Sequence, residues 1–73
     1  MTKATQAKRV LEYIRETGSI TQLEALRELG VMRLASRITD LKRQGYAIVR
    51  DTVPIKTRYG NTYIARYREV KPE

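Results

Sequence analysis

The stretch GVMRLASRITDLKRQGY, Gly30 to Tyr46, decides the reading of this chain. Leu34, Ile38 and Leu41 recur at helical spacing on one stripe, as a helix packed on a core requires. On a wheel of about 100° per residue, Ser36 and Arg43 lie opposite that stripe, flanked by Thr39 and Asp40. Arg33 and Arg37 occupy one shoulder and Lys42 the other. The polar side is therefore rich in hydrogen-bonding and cationic groups, and what precedes and follows the helix decides its use. The spacing predicts a helix from near Met32 to Gln44, with Gly45 as its C-terminal stop.

Upstream, Ala7, Val10, Leu11 and Ile14 form the apolar stripe of a first helix over about Ala4 to Thr17, stopped by Gly18. Ser19 and Ile20 form a short extended link, with Ile20 expected inside. TQLE, Thr21 to Glu24, has the form of a capping box, opening a second helix that runs to Leu29 and buries Ala25, Leu26 and Leu29. Gly30 closes it and Val31 begins a tight link.

Downstream the period changes to two. Tyr46, Ile48 and Arg50 alternate with Ala47, Val49 and Asp51, which reads as a strand ended by Pro54. PIKTRYGN, 54–61, holds the turn dipeptide Gly60-Asn61. TYIARYRE then alternates as a second strand. A lone hairpin is marginal in water, so one face must lie on the helices. Ile48, Tyr63, Ala65 and Tyr67 are the residues expected there, and Tyr13 and Tyr46 are read as core or boundary. Residues 1–3 and 70–73 are expected to be disordered tails of a single domain spanning 1–73.

Composition narrows the function. The 73 residues contain no cysteine and no histidine, which removes disulfides and the usual zinc ligand sets. No apolar run approaches the ~20 residues that span a bilayer, and no signal-peptide pattern opens the chain, so a cytoplasmic protein is expected. The formal charge is +7, from 15 basic and 8 acidic side chains. Residues 33–68 hold nine bases against the two acids Asp40 and Asp51, whereas residues 1–32 are nearly balanced. A one-sided excess of this kind suits a polyanion, because each neutralised phosphate releases condensed counterions. No nucleophile and base stand at a telling spacing, no glycine loop cradles phosphate, and no metal-ligand cluster is present, so neither an enzyme nor a cofactor is expected.

The element order is helix, extended piece, helix, glycine turn, helix and hairpin, an α+β arrangement of three helices with a two-stranded antiparallel wing. GSITQLEALRELGVMRLASRITDLKRQGYAI, Gly18 to Ile48, resembles a family of short winged helix-turn-helix domains found mostly in bacteriophages and prophages. The resemblance rests on Gly18, Ile20, Thr21, Glu24, Ala25, Gly30, Arg33, Leu34, Ala35, Arg37, Ile38, Leu41, Gly45 and Ile48, with Tyr67 near the end. Val31 stands where isoleucine is usual, and Thr52 to Asn61 makes a longer connection between strands than many members have. The resemblance implies double-stranded DNA as the partner, with no small-molecule substrate and no membrane. Transcriptional regulation, in a bacterial host cell if the chain is phage-derived, and an accessory role in recombination or packaging are both compatible with it.

In a helix-turn-helix the N-terminal half of the recognition helix enters the major groove. That selects Arg33, Ser36, Arg37, Thr39 and Asp40 as residues near base edges. Arginine matches guanine O6 and N7, and aspartate accepts from cytosine N4. Arg37 and Asp40 are also i, i+3 neighbours able to pair along the helix. Lys42 and Arg43, with Lys56, Arg58, Tyr59 and Asn61 of the wing, are the candidates for the DNA backbone. Arg66 and Arg68 point away from the expected core and suit a solvated sheet edge. Binding as a monomer and as a homodimer on two half-sites both stay open. Two rivals remain: a winged domain that docks on another protein, and structured-RNA binding, for which no platform of exposed aromatics is evident.

Overall fold

The computed structural model describes residues 2–70. Its elements are α1 (Lys3–Thr17), β1 (Ile20–Thr21), α2 (Gln22–Leu29), α3 (Leu34–Arg43), β2 (Ile48–Thr57) and β3 (Gly60–Glu69). The three helices and the hairpin confirm the α+β winged arrangement. One element is additional: the Ile20 link pairs with β3 as a third strand, giving the antiparallel order β1-β3-β2. Two residues carry too little alternation to announce a strand, and their pairing partners lie more than forty positions downstream.

The core forms where the apolar stripes meet. Ala7, Val10, Leu11 and Ile14 of α1 close over Leu34, Ile38 and Leu41 of α3, with Ile20, Ala25, Val31 and Ile48 sealing the ends. Tyr13, Leu29, Tyr46 and Tyr67 pack on its margin. Two expectations for this core fail. Leu26 is 48 % exposed, because the core lies on the Ala25 side of a helix only eight residues long. Tyr63 is 69 % exposed, because the hairpin runs on past the helices. The parity that buries Tyr67 at the base of β3 therefore meets solvent four residues earlier.

The capping box forms as its residues require. The Glu24 N–H donates to Thr21 Oγ1 (3.2 Å) and the Thr21 N–H donates to Glu24 Oε1 (3.0 Å). Glu24 Oε2 also accepts from the Tyr13 hydroxyl at 3.2 Å, tying α2 to α1. Gly30 ends α2 at φ 69°, the left-handed geometry that a side chain resists. The turn that follows holds α3 off until Leu34, two residues later than the spacing predicts. Arg33 takes φ −116°, ψ 65°, and is not helical. Gln22 fixes this turn from the side: its Nε2 donates to the Val31 carbonyl (3.0 Å), and its Oε1 accepts from the Leu34 N–H (3.1 Å). One side-chain amide thereby satisfies two backbone groups and sets how α2 delivers α3.

The wing differs most from its sequence reading. Pairing runs unbroken from Ile48↔Glu69 to Thr57↔Gly60, straight through Pro54↔Tyr63. Pro54 does not end the ladder because β2 is an edge strand, where the absent N–H can face solvent. The apparent long connection is in fact two long strands and a tight tip of Arg58 and Tyr59. Gly60, at φ 119°, closes that tip. Thr57 Oγ1 accepts from the Tyr59 N–H (3.2 Å) and donates to the Gly60 carbonyl (2.8 Å), which stiffens it.

Ion pairs hold the base of the sheet. Arg15 meets Glu69 through two nitrogens at 3.0 and 3.1 Å and lies over the Tyr46 ring, joining α1 to the end of β3. Arg68 Nε donates to Asp51 Oδ2 at 2.8 Å, and Arg66 Nη2 lies 3.7 Å from the same oxygen. The Arg68 hydrogen bond, then the two positive charges, hold the Asp51 carboxyl below its ordinary range against partial burial. A depressed carboxylate contributes stability above the unfolded-state value of about 3.9 and loses it as pH falls through the lower folded value. Below about pH 4 the base of the wing should therefore loosen, read as faster amide exchange at Asp51 and Arg66. In Asp51→Asn that acid step should be missing, and an unchanged acid response would contradict the assignment.

Order extends further at both ends than expected. Thr2 Oγ1 accepts from the Thr5 N–H and caps α1, which begins at Lys3. The Val70 N–H donates to the Ala47 carbonyl at 2.8 Å. Residues 1 and 71–73, the rest of the expected tails, lie outside the described residues.

Candidate nucleic-acid interface

α3 presents its polar side because its core stripe is satisfied on the other. Leu34, Ile38 and Leu41 are nearly fully buried, which turns Ser36, Thr39 and Arg43 outward. Thr39 Oγ1 donates to the Ala35 carbonyl at 3.1 Å, leaving its lone pairs free to accept. Lys42 and Arg43 are exposed in the last turn, where cations also favour the negative end of the helix dipole.

Two of the residues expected near base edges sit differently. Arg37 is only 8 % exposed. Its Nε stands 3.3 Å from Asp40 Oδ2, an ion pair without the alignment of a hydrogen bond. Expected at the groove floor, Arg37 is instead turned inward against the core margin, and Asp40 is committed to it. Arg37 lies roughly 65° from the centre of the apolar stripe, nearer to it than Asp40 does, and on the side that faces α1. Arg33 is exposed on that same shoulder, beside α1.

The first turn of α3 lies between two recesses. Toward the wing is an apolar cleft of about 390 Å3, bordered by Leu23 and Leu26 of α2, Leu34 and Ala35 of α3, and Ile55 and Ile64 of the hairpin. This shared cleft sets the wing alongside the Ala35 side of the helix. Toward α1 is a recess of about 510 Å3 bordered by Lys3, Gln6, Arg33, Ser36 and Arg37.

The wing carries exposed Lys56, Arg58 and Asn61, with Tyr59 91 % exposed at the tip. Lys56 faces Asn61 across the ladder, and Pro54 faces Tyr63 two residues nearer the base, so these four share one face. Among the described residues, Arg33, Lys42, Arg43, Lys56 and Arg58 form no ion pair, whereas Arg15, Arg37, Arg66 and Arg68 do. Unpaired cations also lie elsewhere, on α1 (Lys3, Lys8, Arg9), α2 (Arg27) and β2 (Arg50), but these five stand on α3, at its entrance and at the wing tip.

Three further residues are exposed here that sequence reasoning gave no place on this surface. Met32, 76 % exposed, stands at the entrance of α3, and Ala35 is exposed beside it; both are apolar enough to be read as core. Tyr63, expected in the core, gives the wing a second exposed aromatic ring beside Tyr59. An extended strand pattern past Pro54 was the signal that could have found Tyr63.

Among the described residues no group of three or more metal-ligating side chains gathers, and no helix is long and apolar enough to cross a membrane. No curated protein and no solved structure matches the chain. The match that exists is to a family whose architecture is the one built above and whose helix-turn-helix suggests DNA as the ligand. Residues 5–70 match its model, and the chain belongs to the winged helix-turn-helix domain family.

Proposed function

We propose that the chain is a sequence-specific double-stranded DNA binder, of the kind used as a phage or prophage regulator or as an accessory factor in recombination. The observation that supports this reading best is a set of unpaired cations around one element: Arg33 at the entrance of α3, Lys42 and Arg43 in its last turn, and Lys56 and Arg58 on the wing beside it. α3 enters the major groove by its first two turns, with Ser36 and Thr39 toward base edges and Met32 and Ala35 toward thymine methyls. Lys42 and Arg43 meet phosphates at the far end. The wing, with Lys56, Arg58, Tyr59 and Asn61, follows the backbone or the adjacent minor groove.

Selection from random duplexes at about 150 mM salt tests this. Enrichment of one motif is the expected result, and its half-site count gives the number of copies bound. Ser36→Ala should then reduce preference at one base pair by about tenfold, a change in the ~1–3 kcal/mol range of a base contact. Enrichment of no sequence at any salt would remove the proposal. A second reading has one observation in its favour, the apolar cleft with Leu23 58 % and Leu26 48 % exposed. On that reading the domain docks on a protein, and Leu23→Asp with Leu26→Asp would abolish a stoichiometric complex while leaving duplex binding intact.

A further inference from the structure

Arg37 is buried, charged and poorly satisfied. Its guanidinium makes no hydrogen bond to any described residue, and of its nitrogens Nε is the one shut off from solvent without a partner. Its Nε is out of solvent with only the misaligned Asp40 carboxylate nearby. Asp40 balances the charge, but a buried N–H without an aligned acceptor is costly until one is supplied. The recess that Arg37 borders supplies the geometry for one. Lys3 and Arg33 stand on its walls, with the amide of Gln6 and the hydroxyl of Ser36 between them. The recess opens at the N-terminal end of α1, a helix of 15 residues whose first turn contains no acidic side chain. The positive end of that helix dipole is therefore uncompensated. Asp40 does not border this recess but the neighbouring depression, with Ala4, Ala7 and Arg43, and Lys3 lines both.

We propose that this recess is a phosphate site, in which Lys3, Arg33 and Arg37 hold one phosphate oxyanion. Given the DNA reading above, on which this assignment rests, the phosphate belongs to the strand flanking the groove that α3 occupies. Arg33 and Arg37 then act on the backbone rather than on bases, and α1 becomes part of the interface. Ser36 lies at the junction, between the captured phosphate and the base edges.

The test has two arms. In the first, duplex affinity is measured from about 50 to 200 mM salt for the wild type, for Lys3→Gln with Arg33→Gln, and for Arg27→Gln as a cation that does not border the recess. Loss of one phosphate contact lowers the log–log salt slope by about 0.9, so the fall in affinity over that range should shrink about threefold in the double variant only. The preferred motif should be unchanged. Both replaced side chains are exposed, so the fold is retained, which circumvents the risk of substituting buried Arg37. In the second arm, sodium phosphate is titrated against sodium chloride at matched ionic strength, and the Arg37 Nε–H resonance is followed in 15N-labelled protein. A phosphate-specific shift, lost in the double variant, supports the site even if duplex binding itself fails. A phosphate shift with duplex binding insensitive to the variants would assign the recess to free phosphate. No shift and no slope change, or a changed base preference, would overturn the proposal.

Discussion

Replacing Leu41 with alanine should cost about 2–5 kcal/mol, the range for a large-to-small change at a fully enclosed site. Leu41 is 1 % exposed, on the α3 stripe that meets α1. Domains of this kind hold about 5–15 kcal/mol in total, and a chain this small sits toward the lower end. At about 4–8 °C per kcal/mol, the midpoint of thermal unfolding should fall by roughly 10 °C or more. Circular dichroism during heating measures it. Leu23→Ala provides the contrast: at 58 % exposure it should cost under about 1 kcal/mol. Equal losses for the two leucines would mean that the core does not lie between α1 and α3.

The second large effect concerns binding. Lys56→Ala combined with Arg58→Ala should weaken duplex binding by tenfold or more, on the order of two lost phosphate contacts at near-physiological salt. The salt slope should fall by about 1.8, twice the ~0.9 for each phosphate. The ranking of DNA sequences should stay as it was, because backbone contacts carry no sequence information. The pair is exposed at the end of a hairpin that the Thr57 hydroxyl stiffens, so stability should change little. Unchanged affinity would mean that the wing does not touch DNA. A changed ranking would place the tip in a groove instead.

The two predictions differ in how far the residues alone foretell them. That Leu41 is enclosed follows from its period with Leu34 and Ile38, since three apolar residues on one helical stripe have a single economical place to go. Leu23, Leu26 and Tyr63 satisfy similar patterns and yet lie in solvent. Their burial depends on how far the partner surface extends, a property of the assembled layers that no local window contains.

Local chemistry determined the helices, the Thr21–Glu24 cap, the glycine stops and the cationic character of the C-terminal half, because each depends on residues within one or two turns. The family pattern, Gly18 to Ile48, strings these local signals together in order. Only the tertiary structure decided that Ile20 joins β3 and that Pro54 is tolerated on an edge. It likewise decided that Gln22 clasps the turn before α3, and that Arg37 faces inward to a recess shared with Lys3. Each of these is a meeting of residues remote in the chain or a consequence of where the sheet ends, and the energy of such meetings is settled only when the whole domain closes.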